Sequence, residues 1–255
     1  RLAGSAPNEI RGMQINGVEY PVTWISVTHW SIRVPVQTGA NALTLRGVDA
    51  SGQVLSNLTD QITITSTATP PSPDGQVVIN EIHYHAPWAG AEFVEIFNTS
   101  SNAAFELGGW QVNGIDYTFA QGTVLDPRSF LVLTENRDAF GAIYGGALRV
   151  DEFSGQLDQG GETLTLLQPG TAGQFIPINT VTYDDDPPWP GSADGLGSSL
   201  QLIDSMQDTR RVANWTDGAG WRRFTLTAVP GFNATNLMDF LNSAGDLYLD
   251  DFALI

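Results

Sequence analysis

The sequence predicts an all-β protein built from two tandem β-sandwich modules. Short segments in which alternate residues are apolar recur along the chain, and this period of two places alternate side chains on opposite faces of a half-buried strand. Turn signals such as Asn16-Gly17 and Ser51-Gly52 separate the segments. A proline-rich stretch, TATPPSPDG at 67–75, divides the chain into two parts. We therefore expect two sandwiches joined by a semi-rigid linker.

The first module is predicted over residues 1–69 and contains about five strands. They are expected near 9–15, 19–27, 30–36, 41–49 and 61–65, with a tight type I′ hairpin at Asn16-Gly17. The run YPVTWISVTHWSIRVPV resembles the immunoglobulin-like or fibronectin-like modules of exported bacterial proteins. Since this is fewer strands than a full sandwich has, we expect that the chain is an excised or processed fragment that lacks an upstream strand.

The linker is predicted at residues 70–76. Pro70, Pro71 and Pro73 favour extended backbone and cannot donate to a β ladder. This makes the segment the clearest domain boundary in the sequence.

The second module is predicted over residues 77–235 and is again mostly β. Its strands are expected near 77–84, 92–98, 117–119, 129–134, 163–167, 175–183 and 199–203. A short helix is expected at 136–144, capped by Asn136 and terminated by Gly145. The remaining residues, 236–255, form either a terminal strand or the start of a further β module.

Several stretches of the second module follow one another in the order of a known family. They are NEI at 80–82, EFVEIFN at 92–98, LGGW at 107–110, LDPRSFLVLTE at 125–135, GETLTLL at 161–167 and WPGSADGLGSSLQLID at 189–204. Over about 77–235 the chain resembles a bacterial lamin tail domain. The resemblance implies an immunoglobulin-like sandwich and a non-catalytic role in adhesion, anchoring or spacing within a larger surface protein.

The composition restricts the class of partner. The chain has 28 acidic and 11 basic residues, all the bases are Arg, and the net charge is −17. Such a surface repels phosphate backbones and anionic membranes, which excludes nucleic acid and favours cations or neutral glycans, although solubility alone is a sufficient reason for the acidity. The absence of Cys excludes disulfides and thiolate metal sites. No signal peptide opens the sequence and no apolar run is long enough for a transmembrane helix, so we expect no membrane insertion.

Glu81, His83 and His85 alternate along one predicted strand and would share a face of a regular strand. Two imidazoles and a carboxylate suit zinc or another transition metal, and Glu92 is a possible fourth ligand. The alternative is that Glu81 belongs to the framework of the sandwich and that the histidines are exposed. We favour this alternative.

Asp184, Asp185 and Asp186 concentrate three carboxylates in a loop before Pro187-Pro188. A bound Ca²⁺ would relieve their mutual repulsion, but the spacing is not that of an EF-hand. A solvated acidic loop is the favoured interpretation. We therefore expect no required cofactor, with Ca²⁺ as the candidate ion.

Four tryptophans lie beside Pro, Gly or polar residues rather than inside apolar runs: Trp88, Trp189, Trp215 and Trp221. Exposed indoles stack on sugar rings or anchor protein interfaces, whereas buried ones would close the ends of the sandwiches. The second interpretation is favoured for Trp110, which occupies the GW position of the resemblance.

The sequence contains no nucleophile elbow, and Glu92 and Glu95 are three residues apart, so they would face opposite sides of a strand. We therefore expect no catalytic residues. The leading hypothesis is a secreted or cell-surface interaction module that binds a protein or surface polymer. The alternatives are a carbohydrate-binding accessory module of a hydrolase and a metal-dependent enzyme built on Glu81, His83 and His85.

Overall fold

A computed structural model describes residues 1–145 and 150–218, and nearly all of its regular elements are β-strands. The described residues belong to one compact unit. The predicted strand-like run at the C-terminus, Leu247–Ile255, lies outside the described residues. Within the described ranges, no helix is both long and apolar enough to cross a membrane.

The first 66 residues form seven strands in two sheets. The strands are β1 (Leu2–Ser5), β2 (Gly12–Ile15), β3 (Val18–Tyr20), β4 (Val22–Trp24), β5 (His29–Ile32), β6 (Gly39–Val48) and β7 (Val54–Ser66). One sheet has the order β1-β5-β4 and the other the order β3-β2-β6-β7. The prediction of about five strands was too low. It missed β1, and it joined β3 and β4 into one strand although Pro21 separates them and they lie in different sheets.

The Asn16-Gly17 hairpin is confirmed. Both residues have positive φ, 53° and 87°, as a type I′ turn requires, and they connect β2 to β3. The Asn16 side chain also accepts a hydrogen bond from the Thr44 backbone N–H at 2.8 Å.

The first part of the chain contacts the loop that precedes residue 127. Val124 packs against the apolar cluster around Trp30 and Ile32, and Arg33 Nε lies 2.6 Å from Asp126 Oδ1. A Cβ on Gly122 would lie 2.1 Å from the Glu19 carbonyl oxygen, so only glycine fits there. Residues 67–76, between β7 and β8, contain no strand. The division of the chain into domains at that segment stays a prediction.

The second part is an immunoglobulin-like sandwich, as predicted. Its strands are β8 (Val77–His83), β9 (Phe93–Asn98), β10 (Phe105–Glu106), β11 (Gln111–Asn113), β12 (Tyr117–Thr118), β13 (Val124–Leu125), β14 (Phe130–Thr134), β15 (Val150–Glu152), β16 (Glu162–Pro169), β17 (Phe175–Tyr183), β18 (Leu200–Leu202) and β19 (Trp215–Thr216). A six-stranded sheet, β15-β14-β9-β8-β18-β19, and a four-stranded sheet, β12-β11-β16-β17, contribute the side chains of one core, and β10 pairs with β13.

Alternation along β8 and β9 explains the packing. Ile82, Val94 and Ile96 are fully buried in the core, while the intervening Glu81 and Glu95 lie on the outer face. A bulge between Ile79 and Glu81 interrupts the pairing of the two strands.

The predicted helix is confirmed as α1 (Arg137–Tyr144). The Asn136 side chain accepts a hydrogen bond from the Ala139 backbone N–H, and Gly145 ends the helix with a φ of 88°. The described residues also contain three short 3₁₀ helices: Thr171–Gly173, Gly191–Ala193 and Val212–Asn214.

Candidate functional site

Glu81, His83 and His85 lie on β8 or directly after it, and each side chain has a partner of its own. Glu81 accepts hydrogen bonds from the Ser199 hydroxyl and from Gln201 Nε2. Burial raises the pKa of the Glu81 carboxyl, and these hydrogen bonds oppose the shift. Glu81 is therefore engaged with β18 and the residue before it.

His83 is a buried core histidine. Its side chain is 2% exposed, its Nδ1 lies 2.9 Å from the Tyr144 hydroxyl, and its ring meets Phe93 edge to face. Burial lowers the pKa of His83 to about 4, and the neighbouring His85 acts in the same direction. The imidazole is therefore neutral at physiological pH. The expectation that this histidine is exposed was wrong.

His85 pairs with Asp194, because its Nδ1 lies 2.7 Å from Asp194 Oδ1 and the two backbones form a bridge. In the part of the chain that the structure describes, Glu81, His83 and His85 do not bring their ligand atoms together. The fold instead assigns each of them to a separate contact.

Asp184, Asp185 and Asp186 do come together. Their carboxylate oxygens lie within 4.8 Å of one another, and all three residues are exposed in the loop after β17. The Asp184 carboxylate accepts the Asp186 backbone N–H at 3.0 Å. The trio is thus a solvent-facing acidic loop whose carboxylates are close enough to share an ion.

Two of the four tryptophans predicted as surface candidates are buried. Trp189 and Trp215 are 8% and 4% exposed, and their ring centroids lie 6.2 Å apart in the core of the sandwich. Trp215 Nε1 donates a hydrogen bond to the Thr209 carbonyl at 2.8 Å. The expectation that these two indoles are exposed is therefore wrong. Trp110 is buried as expected, and Trp221 lies outside the described residues.

Trp88 is 49% exposed and lines a cleft of about 770 Å³. Four carboxylates line this cleft with it: Glu92, Glu135, Asp158 and Glu162. We call the cleft lined by Trp88 and these four residues the acidic cleft. No Arg or His is among its lining residues in the described structure.

Three loops at one end of the sandwich build the acidic cleft. Trp88 lies in the β8–β9 connection, whose turn is closed by a hydrogen bond from the Ala91 N–H to the Trp88 carbonyl. Glu92 directly precedes β9 and Glu135 directly follows β14, and the antiparallel pairing of these strands puts both residues at one end. Asp158 and Glu162 flank the turn that enters β16.

The electrostatics of the cleft are unfavourable without a ligand. The pKa of Glu92 is raised to about 7, first by burial and then by the negative charge of Glu135. Hydrogen bonds from the Gln159 side chain and the Leu157 backbone oppose this shift, as does His85. Ionisation of Glu92 at neutral pH therefore costs free energy.

Glu162 is held in place by contacts with Asp158 and Tyr183. Its Oε1 accepts the Asp158 backbone N–H at 2.9 Å and lies 3.1 Å from the Tyr183 hydroxyl, whose single proton is shared with the Asp158 carbonyl at 2.8 Å. Burial raises the pKa of Glu162 and the charge of Asp158 adds to the effect, while the two hydrogen bonds oppose it. The cleft wall is thus preorganised with a fixed carboxylate.

Comparison with known proteins finds one similarity, in the part of the chain that carries this cleft. Residues 70–185 match the family model described as Lamin Tail Domain. No curated protein and no solved structure matches the chain. The lamin tail domain has an immunoglobulin-like fold and is in general a non-catalytic interaction module. All residues that define the acidic cleft lie inside the segment that matches this family model.

Sequence reasoning found Trp88 and considered Glu92, but it missed Glu135, Asp158 and Glu162. Each lies at the end of a strand or in a turn, but no local signal in the sequence shows that the three meet. The pKa values of Glu92 and Glu95 are both raised to about 7, but their neighbours differ, since Glu95 accepts a hydrogen bond from Asn80 while Glu92 lines the cleft.

Proposed function

We propose that this protein is an interaction module of a larger bacterial surface protein, and that it binds a protein or surface polymer through the acidic cleft. The observation that carries the proposal is the cleft itself, which places a half-exposed indole beside four carboxylates. An indole in this position offers a large contact area with little loss of side-chain entropy on binding. Adhesion, anchoring or spacing outside the cytoplasm is the role that such a module serves.

A carbohydrate ligand is the second candidate. Trp88 is half-exposed, and Gln156 and Gln159 line the same cleft. A neutral sugar could therefore stack on the indole and form hydrogen bonds with the amide groups. In that case the module would serve a hydrolase as its accessory.

The test is binding of the full chain to immobilised proteins, cationic polymers and neutral glycans, compared with Trp88→Ala and with Glu92→Gln combined with Glu135→Gln. We expect retention on at least one surface and its loss in these variants. Retention that all variants share would place the binding site elsewhere and overturn the proposal. Hydrolysis of ester, glycoside or phosphodiester substrates by the chain would contradict the non-catalytic role.

A further inference from the structure

The acidic cleft has a charge pattern that selects a class of ligand. This inference rests on the proposed binding function and adds the chemistry of the partner. Glu92, Glu135, Asp158 and Glu162 all line one concave surface, and none of them has an ion-pair partner among the described residues. By contrast, the acidic residues Glu19, Asp126, Asp151 and Asp208 each pair with an arginine.

Trp88 supplies a second and independent feature of the cleft. An indole face is the best aromatic partner of a cation, and guanidinium groups stack on it with particular frequency. Trp88 is half-exposed and lines the same cleft as the four carboxylates. An aromatic face together with several carboxylates is the combination that recognises an organic cation.

The number of carboxylates favours a chain of cations over a single one. Four carboxylates require more than one positive charge for neutralisation. A polypeptide segment with several basic residues provides these charges.

We propose that the acidic cleft binds arginine and lysine side chains of a basic polypeptide, with a guanidinium or ammonium group on Trp88 and others paired to the four carboxylates. A second copy of this chain is a poor partner, because each copy carries a net charge of −17 and has no lysine. The partner is therefore a different, basic protein.

The experiment is calorimetric titration of the full chain with capped peptides in which arginine alternates with glycine. The matched control peptide has citrulline in place of arginine, which keeps the shape and removes the charge. At an ionic strength of about 0.15 M we expect the arginine peptide to bind at least about tenfold more tightly than the citrulline peptide.

Matched variants locate the interaction. Glu92→Gln combined with Glu135→Gln should weaken arginine-peptide binding by about tenfold, and Trp88→Ala by about threefold. Glu9→Gln combined with Asp74→Asn removes the same charge from exposed positions outside the cleft and should leave binding unchanged. The Gln substitutions keep the shape of each side chain, so the fold is retained.

Three results would overturn the inference. Equal affinity for the two peptides would show that charge is not recognised, and equal weakening by the control pair would show that only the overall charge of the protein matters. Binding of a neutral oligosaccharide that Trp88→Ala abolishes, without binding of the arginine peptide, would exclude the cationic partner and leave the proposed binding function intact.

Discussion

Trp88 and the pair Trp189–Trp215 occupy similar sequence surroundings and opposite physical environments. Pro87 precedes Trp88, and Pro188 precedes Trp189. Yet Trp189 and Trp215 contact each other inside the sandwich, whereas Trp88 remains half-exposed beside carboxylates. The difference shows that distant parts of the chain decide whether an indole is buried. An indole that the fold leaves in solvent is the better candidate for recognition.

The largest expected effect is the difference in stability between a substitution of the buried Trp215 and one of the half-exposed Trp88. Trp215→Ala should lower the free energy of unfolding by about 3–5 kcal/mol, because it empties a core site and removes a hydrogen bond to Thr209. Trp88→Ala should change it by less than about 0.5 kcal/mol, since surface substitutions rarely cost more. Denaturant unfolding of the full chain measures both, and similar losses for the two variants would contradict the assignment of Trp88 to a binding surface.

Glu92 opens to the acidic cleft, whereas Glu95 does not. Burial raises the pKa of both Glu92 and Glu95 to about 7. Below a pH of about 3.5 each group is protonated in both the folded and the unfolded chain, so neither costs stability. As the pH rises towards 7, Glu92 and Glu95 lose their protons at a lower pH in the unfolded chain than in the folded chain. The free energy of unfolding therefore falls until both groups are ionised in the folded chain as well.

Glu95→Gln removes this loss while it keeps the oxygen that accepts the hydrogen bond from Asn80. At pH 8 the variant should be more stable than the parent by roughly 1 kcal/mol after solvent screening, and at a pH of about 3.5 the two should be equal. The difference between variant and parent is the quantity to measure, because His83, whose pKa is lowered to about 4, destabilises the fold as the pH falls. A stability difference that does not change with pH would contradict the burial of this carboxyl group.

Glu92 should behave differently once a cationic ligand is present. A cation beside Glu92 favours its ionised form, so peptide binding should release a proton and tighten as the pH rises from about 6 to 8. The charged groups that act on Glu92 are Glu135 and His85, and Glu92→Gln should remove most of the pH dependence. Calorimetry in buffers with different ionisation enthalpies measures the proton release, and an unchanged pH profile in Glu92→Gln would assign the release to another group.

The smallest expected effect concerns the Asp184–Asp186 loop. These carboxylates are as close together as those of many ion sites, but they are fully exposed, so we expect screening rather than coordination. Millimolar CaCl₂ and NaCl of equal ionic strength should raise the melting temperature equally. A larger rise with Ca²⁺ that Asp184→Asn combined with Asp186→Asn abolishes would instead establish a calcium site.

Local patterns predicted the helix and most long strands of the fold, although they missed β1 and joined β3 to β4. The positive φ that Asn16-Gly17 can adopt, the Asn136 cap and the alternation in β8 and β9 each depend on a few neighbouring residues. Local patterns failed where the environment of a side chain depends on residues that are distant in the sequence. The burial of His83 depends on Tyr144, 61 positions away, and the pairing of His85 depends on Asp194, 109 positions away.

The acidic cleft was only partly predictable for the same reason. Trp88 and Glu92 are close in sequence, but Glu135 joins them through the pairing of β9 with β14, and Glu162 through the packing of the two sheets. The sequence predicted a surplus of negative charge. It contained no information on which carboxylates would share one concave surface.

Hydrogen–deuterium exchange of the full chain, with and without saturating arginine peptide, tests the central claim most directly because it reports where a ligand binds. If the peptide binds in the acidic cleft, it should slow amide exchange in residues 86–92 and 156–162. The exposed loop at 184–186 and the strands of residues 1–66 should exchange at the same rates as without the peptide. Protection confined to 184–186 or to residues 1–66, with an unchanged cleft, would contradict the account.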